Sequence, residues 1–157
     1  MNEKIIYFGN NSFNKNIITD DYIYEPSNHL TILNKLINND NFTQHKYVQK
    51  CIKQKLYSYK SQDLLKNKYN KEHFITYKDL LDKLLECKLL CYYCNKNINL
   101  FYKRKRDLTQ WTLERLDNNI GHTNQNTKIS CLDCNLKRRN LNHIDYKKYK
   151  IIIVKKS

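Results

Sequence analysis

The chain has 157 residues and carries 29 Lys and Arg against 15 Asp and Glu, a formal charge of +14 with a pI near 9.5. This length suits one domain, or one small domain with a helical extension, and excludes architectures such as a full (β/α)8 barrel, while the charge calls for an anionic partner. With 2 Gly and 1 Pro there is neither a Walker pattern nor a dinucleotide fingerprint, and no apolar run approaches the roughly 18 residues of a membrane span; a soluble, intracellular protein without a membrane partner is expected.

Two β-prone runs come first, Ile5-Ile6-Tyr7-Phe8 and Tyr22-Ile23-Tyr24, with an Asn-rich loop between them. After Pro26-Ser27-Asn28, the spacing of Leu30, Leu33, Leu36 and Ile37 predicts a helix over 29–38, with Ser27 or Asn28 as N-cap. From Thr43 to Tyr69, Val48, Ile52, Leu56, Tyr59 and Leu64-Leu65 fit one or two helices with a basic outer face. Thr76 with Asp79 three residues later resembles a capping box, and the run through Leu80, Leu81, Leu84, Leu85 and Leu89 is expected to end just before Cys91.

Residues 1–85 therefore read as a basic, mostly helical region of unassigned role, and 86–157 as a second unit whose compact part runs from 91 to about 142. Within that unit Trp111 to Asp117 is extended, Gly121 punctuates a turn, Asn126 to Ser130 alternates as a short strand, and Leu132 to Asn140 is helical. The tail, Tyr146 to Lys155, is a helix or a strand, with Ile151-Ile152-Ile153-Val154 placed to pack on the core.

Six cysteines in a reducing compartment read as metal ligands before they read as a disulfide framework. Cys91-x-x-Cys94 and Cys131-x-x-Cys134 form two knuckles that a hairpin can bring together. Four thiolates suit Zn²⁺, which accepts tetrahedral sulfur without redox chemistry, and a closed site of this kind is structural. Ordinary buried cysteines are the bland alternative for these four, and core packing is the expected role of Cys51 and Cys87.

Between and beyond the knuckles lies Trp111-Thr-Leu-Glu114-Arg115-Leu-Asp117-Asn-Asn-Ile-Gly121-His122, then Asn126-Thr-Lys-Ile-Ser-Cys131-Leu-Asp-Cys134-Asn135-Leu-Lys137-Arg138-Arg139. This segment resembles the HNH endonuclease family over residues 91 to 140. The family's motif has an Asp-His pair on one strand, a Gly-containing loop, an Asn opening a second strand, and Cys-x-x-Cys-Asn-x-x-Lys/Arg entering a helix. The resemblance implies an α+β protein, in which a mainly helical N-terminal region precedes a zinc-stabilised ββα-metal unit. It also implies hydrolysis of phosphodiester bonds in DNA, as in homing-type, mobile-element, phage or viral nucleases, with a catalytic Mg²⁺ or Mn²⁺ held by oxygen ligands. A viral protein of this kind would work in the cytoplasm or nucleus of the host cell.

Carried over by position, Glu114 takes the place of the family's strand acid, Asn135 that of the helix ligand, and Asn126 that of the Asn that pins the hairpin loop. Where the motif has its general-base His, this chain has Arg115, which stays protonated. His122, across the turn, is then the expected base, with Asp117 as auxiliary ligand. Strand alternation puts Arg115 and Asp117 on one face and Glu114 on the other, which sets the two acids in tension.

Lys103, Arg104, Lys105 and Arg106 before the hairpin, Arg115 within it, and Lys137, Arg138 and Arg139 after it are the expected phosphate contacts. Tyr92, Tyr93 and Tyr102 are candidates for stacking on bases, with packing as the blander account. A catalytically degenerate zinc-containing DNA-binding module is the competing reading. A third is an RNA-binding zinc protein, for which no RNA signature is present. A monomer with one centre would nick, and a homodimer would make paired cuts.

Overall fold

Hydrophobic spacing decides most of the helices in the computed structural model, which describes residues 21–156. The first β-prone run lies outside the described residues. The second is not a strand: Asp21–Tyr24 and Pro26–Asn28 are single 3-10 turns that bury Ile23 and lead directly into α1, His29–Ile37. Asn28 takes the N-cap position but gives its amide to the Tyr22 carbonyl (3.0 Å) and makes no side-chain cap.

One helix, α2, occupies His45–Leu65. Its buried stripe is Val48, Ile52, Leu56, Tyr59 and Asp63, so the row of apolar positions ends on an acid. Leu64 and Leu65, expected inside, turn outward; Leu65 is 85% exposed. Lys55 on the same helix lies over the rings of Trp111 and Tyr102 and donates to Gln110 and the Trp111 carbonyl, which anchors α2 beside the sheet. Burial lowers its pKa to about 7.

The capping box forms at the start of α3, Tyr77–Glu86, where the Thr76 hydroxyl accepts from the Asp79 amide (3.1 Å) and the Asp79 carboxylate accepts from the Thr76 amide (3.2 Å). The helix stops earlier than the leucine spacing suggests. Lys88 and Leu89 have φ of 51° and 54°, a left-handed reversal that buries Leu89 and brings Cys91 back against the body of the protein.

A two-stranded antiparallel sheet follows, β1 Trp111–Arg115 and β2 Thr127–Cys131, in which Trp111 faces Cys131 and Arg115 faces Thr127. Helix α4, Leu132–Arg138, leaves β2 without a linker and packs on both strands. The last helix, α5, is His143–Lys156. Ile151, Ile152 and Ile153 stay exposed, so this run does not join the core. The fold is thus α+β, with five helices and one small sheet among the described residues. A single buried cluster extends from Ile23 through the helices to Trp111, Ile129 and Tyr146, so the helical layer and the hairpin share one core. No helix among the described residues is long and apolar enough to cross a membrane.

Candidate metal centre and its flanking charge clusters

The first knuckle is a tight turn. Asn95 adopts a φ of 56° and donates to the Cys91 carbonyl (2.9 Å), while the Cys91 amide bonds the Lys96 carbonyl (2.9 Å). The Tyr92 amide then reaches the Ile129 carbonyl of β2 (2.9 Å), which sets this knuckle against the sheet. The second knuckle doubles as a helix start: the Cys131 sulfur caps α4 by accepting from the Cys134 amide (3.4 Å), and the Cys91 sulfur accepts from the Cys131 amide (3.3 Å).

Cys91, Cys94, Cys131 and Cys134 are buried with their sulfurs all within 4.8 Å of one another, and Cys94 and Cys131 stand 3.9 Å apart. Tetrahedral Zn²⁺ with bonds of about 2.3 Å requires sulfurs about 3.8 Å apart, so the cluster is preformed for that ion. The charges agree with the geometry. The Cys131 and Cys134 thiols hold Cys91 well below the ordinary thiol range, and Cys131 and Cys91 push Cys134 well above it. Alone, the cluster stabilises one thiolate; a divalent cation allows all four. Cys51 and Cys87 are half-buried against the core, as packing residues would be.

From the knuckles the chain builds a pinned hairpin. Asn126 accepts from the Asp117 amide (2.9 Å) and donates to the carbonyls of Asp117 (2.9 Å) and Gly121 (3.1 Å), holding both ends of the 117–121 loop from inside. Asp117 is exposed and accepts from the Asn119 amide (2.8 Å), a local turn contact.

Glu114 points to the α4 side. Asn135 donates to one carboxylate oxygen and Arg138 ion-pairs with the other, so the strand acid and the helix amide named from sequence do meet. Glu114 is 4% exposed; burial raises its pKa, and Arg138 opposes that. Arg138 itself is 2% exposed, which corrects its assignment as a phosphate contact. Its guanidinium also takes the carbonyls of Arg115 (2.7 Å), Leu116 (2.8 Å) and Leu141 (3.0 Å), sealing the end of β1 where the ladder stops.

Arg115 turns to the opposite face and is likewise mostly covered, 4.0 Å from the Asp63 carboxylate, not displayed for phosphate. Asp63 accepts from both the backbone amide (2.7 Å) and Nδ1 (2.8 Å) of His122. His122 is 3% exposed, against the Tyr59 ring. Burial lowers its pKa, with Asp63 opposing, so at neutral pH the ring is uncharged with its proton on Nδ1. The role of general base beside Glu114 is thereby corrected: the ring is spent on locking the turn to the end of α2. Asp63 is the residue that sequence reasoning missed, although it falls on the α2 stripe at i+4 from Tyr59, where a buried acid signals a buried partner.

Lys103, Arg104, Lys105 and Arg106 are exposed, with Lys103 2.6 Å from Asp21. Lys137 and Arg139 are exposed too, Lys137 paired with Asp133 at i,i+4. The tyrosines follow the packing account. Tyr93 is buried, Lys147 covers Tyr92, and Lys55 covers Tyr102. Compared with known proteins, the chain matches no family model, no curated protein and no solved structure.

Proposed function

We propose that the protein is a metal-dependent endonuclease of the HNH type that hydrolyses phosphodiester bonds in DNA, and that the four cysteines hold a structural zinc. The observation that carries this reading is the meeting of Glu114 from β1 with Asn135 from α4, directly beside the cysteine cluster and over a loop pinned by Asn126. A carboxylate and an amide oxygen are the hard donors that Mg²⁺ or Mn²⁺ prefers. When bound, such an ion supplies charge neutralisation at the scissile phosphate and a water of lowered pKa. The protein's part is to orient: α4 presents Asn135, and Arg138 fixes the Glu114 carboxylate and the strand end. The exposed 103–106 stretch, Lys137 and Arg139 would meet phosphates on either side, with affinity that falls steeply with salt. Asp117 is the exposed acid left to order water or a second contact of the ion.

The second reading, a DNA-binding module without catalysis, also has an observation in its favour. Glu114 is covered and has both oxygens engaged by Asn135 and Arg138, and a carboxylate so satisfied serves equally well as a buttress. Supercoiled plasmid at low salt, with Mg²⁺ or Mn²⁺ and an EDTA control, separates the two. Metal-dependent nicking that Glu114→Ala and Asn135→Ala abolish while DNA retention persists is the expected result. Retention of DNA without cutting by the wild type under either metal would favour the binding module.

A further inference from the structure

Among the described side chains of α5, Tyr146 alone is buried. Its ring meets Tyr93 of the first knuckle edge-on, with centroids 5.0 Å apart, and its hydroxyl is enclosed without a hydrogen-bond partner. A buried hydroxyl left unpaired is costly, and native structures rarely keep one without a reason. The neighbour it faces is Cys134: after burial, that sulfur contributes most to keeping the phenol protonated. The phenol therefore has a hydrogen to give, and what is missing is an acceptor. A thiol is a poor one, whereas a metal-bound thiolate carries negative charge and takes hydrogen bonds from its surroundings.

We propose that the Tyr146 hydroxyl donates a hydrogen bond to the Cys134 thiolate when the four cysteines hold zinc, so that docking of α5 is coupled to the metal. This rests on the zinc reading of the cluster and is independent of the nuclease reading. Apart from Tyr146, α5 leans on the body through the Tyr92 hydroxyl with His143 (3.4 Å) and through Lys147 over the Tyr92 ring (3.8 Å). Both contacts go to the same knuckle, between Cys91 and Cys94. Metal loss thus loosens every one of these contacts at once and releases a helix carrying Lys147, Lys148, Lys150, Lys155 and Lys156.

Co²⁺ substitution of the reduced full-length chain reads the bond directly, because donation to a thiolate lowers the energy of its lone pairs. Tyr146→Phe, which keeps the ring, is expected to move the thiolate-to-Co²⁺ charge-transfer band to longer wavelength and to weaken zinc binding in chelator competition by roughly 10-fold or more. Tyr93→Phe removes an equally buried, unpartnered hydroxyl and should change neither. A band and an affinity unchanged in Tyr146→Phe, or an equal shift in Tyr93→Phe, would overturn the assignment. Absence of a charge-transfer band in the wild type would fail the zinc reading itself, and with it the proposal, by a distinguishable result. On the wild type alone, chelation should raise amide exchange in 143–156 before α1–α3; protection of α5 that survives metal removal would also refute the coupling.

Discussion

Glu114 and Arg115 are adjacent on β1, yet they feed two buried charge clusters of opposite construction. On the Glu114 face both partners come from one turn of α4, since Asn135 and Arg138 stand three residues apart and so reach the same carboxylate. On the Arg115 face the acid is Asp63, from the last turn of α2, and it holds His122 of the hairpin turn. The first cluster is closed within the hairpin and its helix. The second ties that unit to the helical layer, and it consumes a histidine that would otherwise have suited proton transfer. Position within a motif therefore does not decide a titratable group's role; the side of the strand on which its partner arrives does.

The largest expected effects come from removing the residue that holds each cluster together. Asp63→Ala leaves Arg115 and the His122 amide without their acceptor and should cost about 3–5 kcal/mol, read as a loss of stability in urea melts. Arg138→Met should cost a similar amount by stranding Glu114 in a site where it is hardly exposed. The clusters differ in what rescues them. Adding Glu114→Gln to Arg138→Met should recover part of the loss, because the lone buried charge is gone while the carbonyls of Leu116 and Leu141 stay unpaired. Adding Arg115→Met to Asp63→Ala should recover little, because the His122 contacts carry that face. Equal recovery in both would erase the distinction.

This contrast also explains what could be read from sequence. The cysteine pairs, Asn126, Glu114 and Asn135 were legible because their partners lie within the same short stretch and their spacing is set by a hairpin, a knuckle and a helix turn. The capping box at Thr76 was legible for the same reason. His122 and Arg115 were misjudged because Asp63, 59 residues before His122 in the chain, is what places them. Arg138 looked like one of three basic residues on a helix; only the end of β1, with carbonyls left over by a five-residue strand, draws it inward. The early end of α3 depends on a left-handed turn at two non-glycine residues, a conformation that sequence does not announce.

A smaller change tests the seam between the turn and α2. A Cβ on Gly121 would stand 2.3 Å from the Lys68 carbonyl oxygen and 2.8 Å from the Asp63 carboxylate, so the turn sits on α2 as closely as a backbone allows. Gly121→Ala should cost about 1–3 kcal/mol through displacement of this contact, with the Glu114 face spared. The expected signature is faster amide exchange at 121–123 with unchanged exchange in α4. Equal loosening of both would mean that the faces are not separable.

The smallest effects, and the sharpest sign test, lie in pH. His122 has a pKa lowered from 6.5, mainly by burial, so protons bind the unfolded chain more readily than the native one. Its contribution is complete above 6.5 and declines as pH falls below it. Glu114 has a pKa raised from 4.5, again mainly by burial, so the native state binds the proton better. Its contribution is present below 4.5 and is lost as pH rises through the native value. The two faces therefore respond to acid in opposite directions. In melting curves, the stability of wild type relative to His122→Gln should grow between pH 5 and about 7 and then level, while that relative to Glu114→Gln should shrink as pH rises from about 4. Parallel curves for the two pairs would contradict the assignment of a neutral histidine to one face and a covered carboxylate to the other.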